Sequence, residues 1–201
     1  MTSRRTHLSV AVSRRGAVAV AWMHQELTEG GEHGPAIAAA RLRAPGRGFG
    51  APARLERHEA RAPEQAEPVI MRFSGERALV AWQGLGVPSG ADRPRFAVRS
   101  AEVTPFGLEE RFTLSAPSES AALEALATRG SRAAASWRAA GFEGGAGEIR
   151  ASVTGESGWQ AGEVVATRGR DSQLAWGAGG RLEAVWVAPA GDRAVVHAAT
   201  R

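Results

Sequence analysis

Four stretches of the chain share one scheme: a Gly-marked turn, an alternating small and apolar strand, and a closing Trp. They are GAVAVAW (Gly16 to Trp22), GERALVAW (Gly75 to Trp82), GSRAAASW (Gly130 to Trp137) and GRLEAVW (Gly180 to Trp186). The closing tryptophans lie 60, 55 and 49 residues apart. A second marker, Gly beside an aromatic, follows the first three in GRGFG (Phe49), TPFG (Phe106) and ESGWQ (Trp159), at spacings of 57 and 53. Two markers sharing one drifting period define an internal repeat, and such a period constrains the fold more than composition does.

Each unit reads as four short strands. The first unit has Leu8 to Val12, Ala17 to Trp22, Ala36 to Leu42 and Pro52 to Arg57. The second has Glu67 to Phe73, Arg77 to Trp82, Arg95 to Val103 and Glu109 to Leu114. The third has Leu123 to Thr128, Arg132 to Trp137, Glu148 to Val153 and Gly162 to Thr167. The fourth has Gln173 to Gly177, Arg181 to Trp186 and Arg193 to Ala199, one strand short.

The side chains of the Trp-ending strands indicate how such units pack. In AVAVAW, Val18, Val20 and Trp22 alternate with Ala17, Ala19 and Ala21; in RALVAW, Ala78, Val80 and Trp82 alternate with Leu79 and Ala81. A half-solvated sheet puts polar residues on one face, and these strands are almost free of charge on both. Four-stranded antiparallel units covered on both faces are the blades of a propeller. The expectation is therefore an all-β fold of propeller type, a single domain or partial propeller over 1–201, with blades at about 7–58, 67–116, 121–168 and 172–201. A β-sandwich is the alternative. Trp22, Trp82, Trp137 and Trp186, with Phe49, Phe106 and Trp159, read as packing between blades, and a binding platform is the less economical reading.

Composition removes several function classes. All 25 basic residues are Arg, spread along the chain with Glu between them and in no run. Nucleic-acid binding calls for a clustered basic footprint with interleaved aromatics, so no nucleic-acid partner is expected. The absence of Cys excludes a disulfide framework, a thiol nucleophile and a Cys-ligated metal. No apolar run approaches the roughly 20 residues of a membrane span. The N-terminal stretch MTSRRTHLSVAVSRRG has too short an apolar run for a signal peptide.

His24 and His33 share the stretch MHQELTEGGEHGP with Glu26, Glu29 and Glu32. The ligand types suit a metal, but the spacing matches no metal motif, and the stretch reads as an acidic loop. The chain has no Asn for Asx-rich calcium loops, and Gly46-Arg47-Gly48 reads as a turn rather than a phosphate loop. No cofactor or metal is expected. The strand glutamates read as solvated or near strand ends, with no catalytic pair.

Thr154, Glu156, Gly158 and Trp159 resemble a worn form of the Asp-box hairpin of sialidase-type propellers, lacking its aspartate. The blade pattern as a whole resembles the sialidase-like propeller group, in particular repeat proteins secreted by GC-rich bacteria. That resemblance implies an extracytoplasmic protein. Active sialidases of the group use a tyrosine nucleophile, and this chain has no Tyr. The expected function is a non-catalytic binding module for a protein or carbohydrate ligand, part of a longer exported protein. The alternative is a degenerate sialidase-like glycoside hydrolase or carbohydrate-binding propeller. Propeller ligands sit at a mouth of the central channel, lined by first strands. This makes Arg72, beside Met71 and Phe73, and Trp176, an aromatic without counterpart in the other first strands, the candidate ligand-binding residues. A fourth unit one strand short also suits a fragment of a longer propeller, or a chain that self-associates through exposed terminal blades.

Overall fold

The computed structural model describes residues 3–27, 33–58, 68–85, 96–117, 119–139, 146–191 and 193–201. Among them every regular element is a β-strand except a single 3-10 turn at Ala178–Gly180. The protein is all-β and antiparallel.

The first sheet is a meander of β1 (Ser3–Val12), β2 (Val18–Leu27), β3 (His33–Arg43) and β4 (Ala53–His58). The second repeats it with β5 (Val69–Ser74), β6 (Arg77–Leu85), β7 (Phe96–Thr104) and β8 (Gly107–Thr113). The third continues through β9 (Ala121–Arg129), β10 (Arg132–Ala139) and β11 (Gly147–Gly155), with the two-residue β12 (Gly158–Trp159) folded back on β11. It then runs into β13 (Glu163–Trp176), β14 (Leu182–Ala190) and β15 (Arg193–Thr200). The turns are built as the sequence dictates: Gly16, Gly75 and Gly130 take positive φ of 83°, 63° and 57° just before the Trp-ending strands, a conformation that other residues adopt only under strain.

The third and fourth units differ from expectation. The stretches Gly162 to Thr167 and Gln173 to Gly177, read as separate strands, both lie on or at the end of β13. Its first half pairs with β11, as in Ile149↔Ala166, and its second half with β14, as in Leu174↔Ala184. Arg168-Gly169-Arg170-Asp171-Ser172 has the residues of a turn, but it keeps extended pairing through a register shift between Arg170 and Gln173, with Asp171 at φ 55°. A bulge bends a strand and lets it change partners without breaking it.

Two compact units divide the chain: Met1–Gly84 with Ser100–Arg111, and Leu85–Arg99 with Phe112–Arg201. In the first, the core joins Ala19, Ala21 and Met23 of β2 and Ala38 and Ala40 of β3 to Ala78, Val80 and Trp82 of β6. Trp82 is 1% exposed. Only one face of β2 enters this core. Val18, Val20 and Trp22 on the opposite face stay half-buried, and their partners Val12, Val10 and Leu8 on β1 are exposed. The Trp-bearing face of the second sheet is thus covered by the Ala- and Met-bearing face of the first. β1 lies beside β5, where the Met71 amide donates to Ser9 Oγ at 2.9 Å.

The second unit repeats the direction of packing. Leu182 of β14 packs on Ala134 of β10 and Val153 of β11, with Leu174 and Trp176 against the cluster. Trp186 presses on Gly169, where an added Cβ would come within 2.7 Å of Cδ1. Ala134 lies on the face of β10 opposite Trp137, itself 1% exposed. The second half of β13 lies beside β9. There Glu124 accepts the amides of Asp171 at 3.1 Å and Ser172 at 2.7 Å, and Ser136 and Ser172 share a buried hydroxyl contact of 2.8 Å.

Candidate functional site

Trp176 ends the second half of β13, where the strand alternation turns its indole onto the face shared with Leu174 and Leu182. The guanidinium of Arg132, from the start of β10, lies 4.3 Å from the ring centroid. Arg132 also donates to Gly180 O at 3.1 Å, and Arg129 donates to Gly177 O. Both arginines therefore clamp the 3-10 turn that follows Trp176, and Arg132 covers the indole face. A cation–π contact of this kind contributes about 0.5–1 kcal/mol at an exposed site. Trp176 Nε1 is buried without a hydrogen-bond partner. The indole that the sequence marks as a ligand platform is thus already stacked by this chain's own Arg132. Its partner residues were not legible, since they lie about a whole repeat upstream.

Arg72 is exposed on β5 and donates through Nη1 to the carbonyl of Met71 at 2.8 Å. It belongs to the first unit and Trp176 to the second, and each has its own surroundings.

Near Trp176 in the second unit is a pocket of about 200 Å³ with apolar walls from Leu174, Leu182, Ala184 and Val165. At its polar end Arg201 meets Glu163 through two contacts, Nη1–Oε2 at 2.7 Å and Nη2–Oε1 at 2.8 Å. Sites for drug-sized ligands run from about 300 to 1,000 Å³. This one suits a group the size of a single apolar side chain.

A third feature was missed from sequence. Arg77 at the start of β6 lies 3.5 Å from Glu102 on β7 and 3.9 Å from Glu110 on β8. Burial pushes the Glu102 carboxyl above its ordinary range; Arg77 draws it down, and Glu110 and Glu109 push it up. Carboxylates gathered around one guanidinium cannot be seen in strands read one at a time.

The other marker residues have distinct roles. Trp82 and Trp137 are core residues, and each donates its indole N–H to a carboxylate at 2.9 Å: Glu56 for Trp82, Glu119 for Trp137. Trp186 stacks on His197 with ring centroids 5.7 Å apart. Phe106 does not pack between sheets: it is 96% exposed at the β7–β8 turn, because Pro105 and Gly107 hold it at the hairpin tip. Phe49, also exposed, is flanked by the guanidinium groups of Arg41 and Arg43, each 5.7 Å from the ring centroid. Trp159 closes the tight β11–β12 hairpin opposite Thr154 and is half-buried.

The stretch read as an acidic loop lies partly on strands. His24 and Glu26 lie on β2 and His33 begins β3, while Glu29 and Glu32 lie outside the described residues. No group of three or more His, Cys, Asp or Glu side chains is placed to hold a metal among the described residues. Nor is any helix there long and apolar enough to cross a membrane.

No protein-family model matches the chain. No curated protein matches it either.

Proposed function

We propose that the chain is a propeller-type, non-catalytic binding module that takes a protein or carbohydrate ligand. The observation that carries this reading is where the half-buried carboxylates are used. Glu56 and Glu119 hold indole N–H groups, and Glu124 holds two backbone amides at the β13 bend. Groups bound in this way are positioned for packing rather than proton transfer. The full chain has no Tyr or Cys to serve as a nucleophile.

The propeller reading is supported by where the sheets come close. First strands lie side by side in each unit, β1 by β5 and the second half of β13 by β9. Between the first two sheets the larger Trp82 fills space further from the first strands, on β6. Sheets that converge on their first strands form blades, whereas sandwich sheets keep an even separation of about 10 Å. The small apolar pocket favours a protein side chain as the group bound. An exported setting is proposed from the sialidase-like resemblance alone; cell fractionation tests it.

Glu102 favours a second reading, a degenerate glycoside hydrolase. A carboxyl with a raised pKa beside other carboxylates is what a general acid in glycoside cleavage needs. One assay separates the two. Purified protein is incubated with sialyl and aryl-glycoside substrates and applied to a glycan array. The binding-module reading expects no turnover with any substrate. Turnover that scales with protein concentration and is lost in Glu102→Gln establishes the hydrolase instead.

A further inference from the structure

Four turns of the first unit gather at one end of its strands. They join β1 to β2, β3 to β4, β5 to β6 and β7 to β8. Two contacts bring them together across the sheets. Arg15 Nε of the first turn lies 3.9 Å from Glu76 Oε1 of the third. Gly50 of the second sits so close to the fourth that an added Cβ would lie 3.1 Å from Pro105 O. Phe106 projects from this end 96% exposed, and Phe49, 41% exposed, stands beside Gly50. Arg14, Arg15 and Arg47 are exposed in the same turns, against the single acid Glu76. The three strand residues on either side of each turn add five arginines against Glu102 and Glu109, and Glu110, one place further, lies 3.9 Å from Arg77. This end is therefore basic as a whole and carries two exposed aromatic rings.

We propose that this end docks on the surface of a phospholipid bilayer, with Phe106 and Phe49 at the acyl boundary and the arginines on headgroup phosphates. The hydroxyls of the turns favour that occupant, because they are used within the turns. Ser13 Oγ accepts the amides of Arg15 and Ala17, each at 3.2 Å. Thr104 Oγ1 accepts the amide of Phe106 at 3.3 Å and donates to Gly107 O at 3.4 Å. What remains to face outward is rings and guanidinium groups. A sugar or a folded partner takes several directed hydrogen bonds from its binding surface. A bilayer takes apolar rings at the acyl boundary and cations at its anionic surface, and guanidinium forks match phosphate oxygens. Stacking covers the faces of sheets, so a further layer on either face leaves these turn ends open.

The test is sedimentation of the 201-residue chain with vesicles of phosphatidylcholine and phosphatidylglycerol in equal parts. The wild type is expected to pellet with the vesicles, and less so as salt rises. Phe106→Ser is expected to weaken binding about tenfold through the lost apolar burial. Arg14→Gln, Arg15→Gln and Arg47→Gln together are expected to weaken it about a hundredfold. All four positions are exposed, so both variants are expected to fold, with circular dichroism as the check. The chain has no native Cys, so a polarity-sensitive dye on Phe106→Cys reads entry directly. Its emission is expected to shift to the blue with vesicles. The same dye on Arg57→Cys, exposed toward the far end of β4, is expected not to shift. A wild type that stays in the supernatant overturns the proposal, whether or not it binds soluble heparin or an acidic protein instead. So does pelleting that survives both folded variants, or a blue shift at Arg57→Cys without one at Phe106→Cys.

Discussion

The indole N–H of Trp82 donates to the carboxylate of Glu56 across 2.9 Å, joining β6 of the second sheet to β4 of the first. The same bond, at the same length, joins Trp137 to Glu119. In both cases a large apolar side chain closes a core while its single polar atom is satisfied by the segment preceding it. Gly84 makes the first pair possible: a Cβ at that position would collide with the Glu56 carboxylate. Removing the carboxylate leaves a buried donor without a partner, which costs about 1–3 kcal/mol. Glu56→Ala is expected to lose that much in urea unfolding, and Gly84→Ala is expected to be destabilising through the same bond. In a double-mutant cycle, Glu56→Ala should cost much less in a Trp82→Phe background.

The aromatic markers divide sharply by burial. Trp82→Ala and Trp137→Ala each remove a side chain that is 1% exposed, and each is expected to cost about 3–5 kcal/mol. Phe106→Ser changes a hairpin tip and is expected to stay within about 0.5 kcal/mol of wild type. Parallel thermal melts check all three.

The bend in β13 rests on Glu124, which accepts two successive amides beside a residue at φ 55°. Glu124→Ala is expected to destabilise by about 1–3 kcal/mol. Asp171→Gly suits the positive φ and is expected to be neutral or mildly stabilising. Hydrogen exchange at Ser172 is the local readout: its amide should be protected in wild type and exposed to exchange in Glu124→Ala.

The Glu102 carboxyl gives a pH dependence of definite sign. Its folded pKa lies above the ordinary glutamate value of 4.5, chiefly through burial. From about that value up to the folded pKa, the folded state holds more of this proton than the unfolded state does, so this group's contribution to stability falls as pH rises. Glu102→Gln is expected to remove that fall and to be more stable than wild type at neutral pH. Melting temperatures of the two proteins from pH 4 to 8 give the comparison, and a steeper decline in the variant would reverse the sign.

The Trp-ending strands were legible because each is a short, mostly small-and-apolar run behind a Gly-marked turn, and every segment read as strand coincides with or overlaps one. The β13 junction was not, because RGRDS carries turn residues while Glu124, about 47 residues upstream, holds an amide at the bend through which one strand runs. The partners of Trp82 and Trp137 were equally hidden: Glu56 and Glu119 look like surface acids until the sheets are stacked. Phe106 misled for the opposite reason. Its Gly neighbour marks a repeat position, and a repeat position can lie at a tip as readily as in a core.

The propeller reading depends on sheets that converge at their first strands and spread outward. Since the chain has no native Cys, paired spin labels can be placed cleanly within the first unit. One pair goes at Leu8 and Arg72 on the first strands β1 and β5. The other goes at Arg54 and Arg111 on the fourth strands β4 and β8. All four positions are exposed. The account predicts a clearly shorter distance for the first-strand pair than for the fourth-strand pair by pulsed electron resonance. Equal distances would mean evenly spaced sheets and a sandwich, and would contradict it.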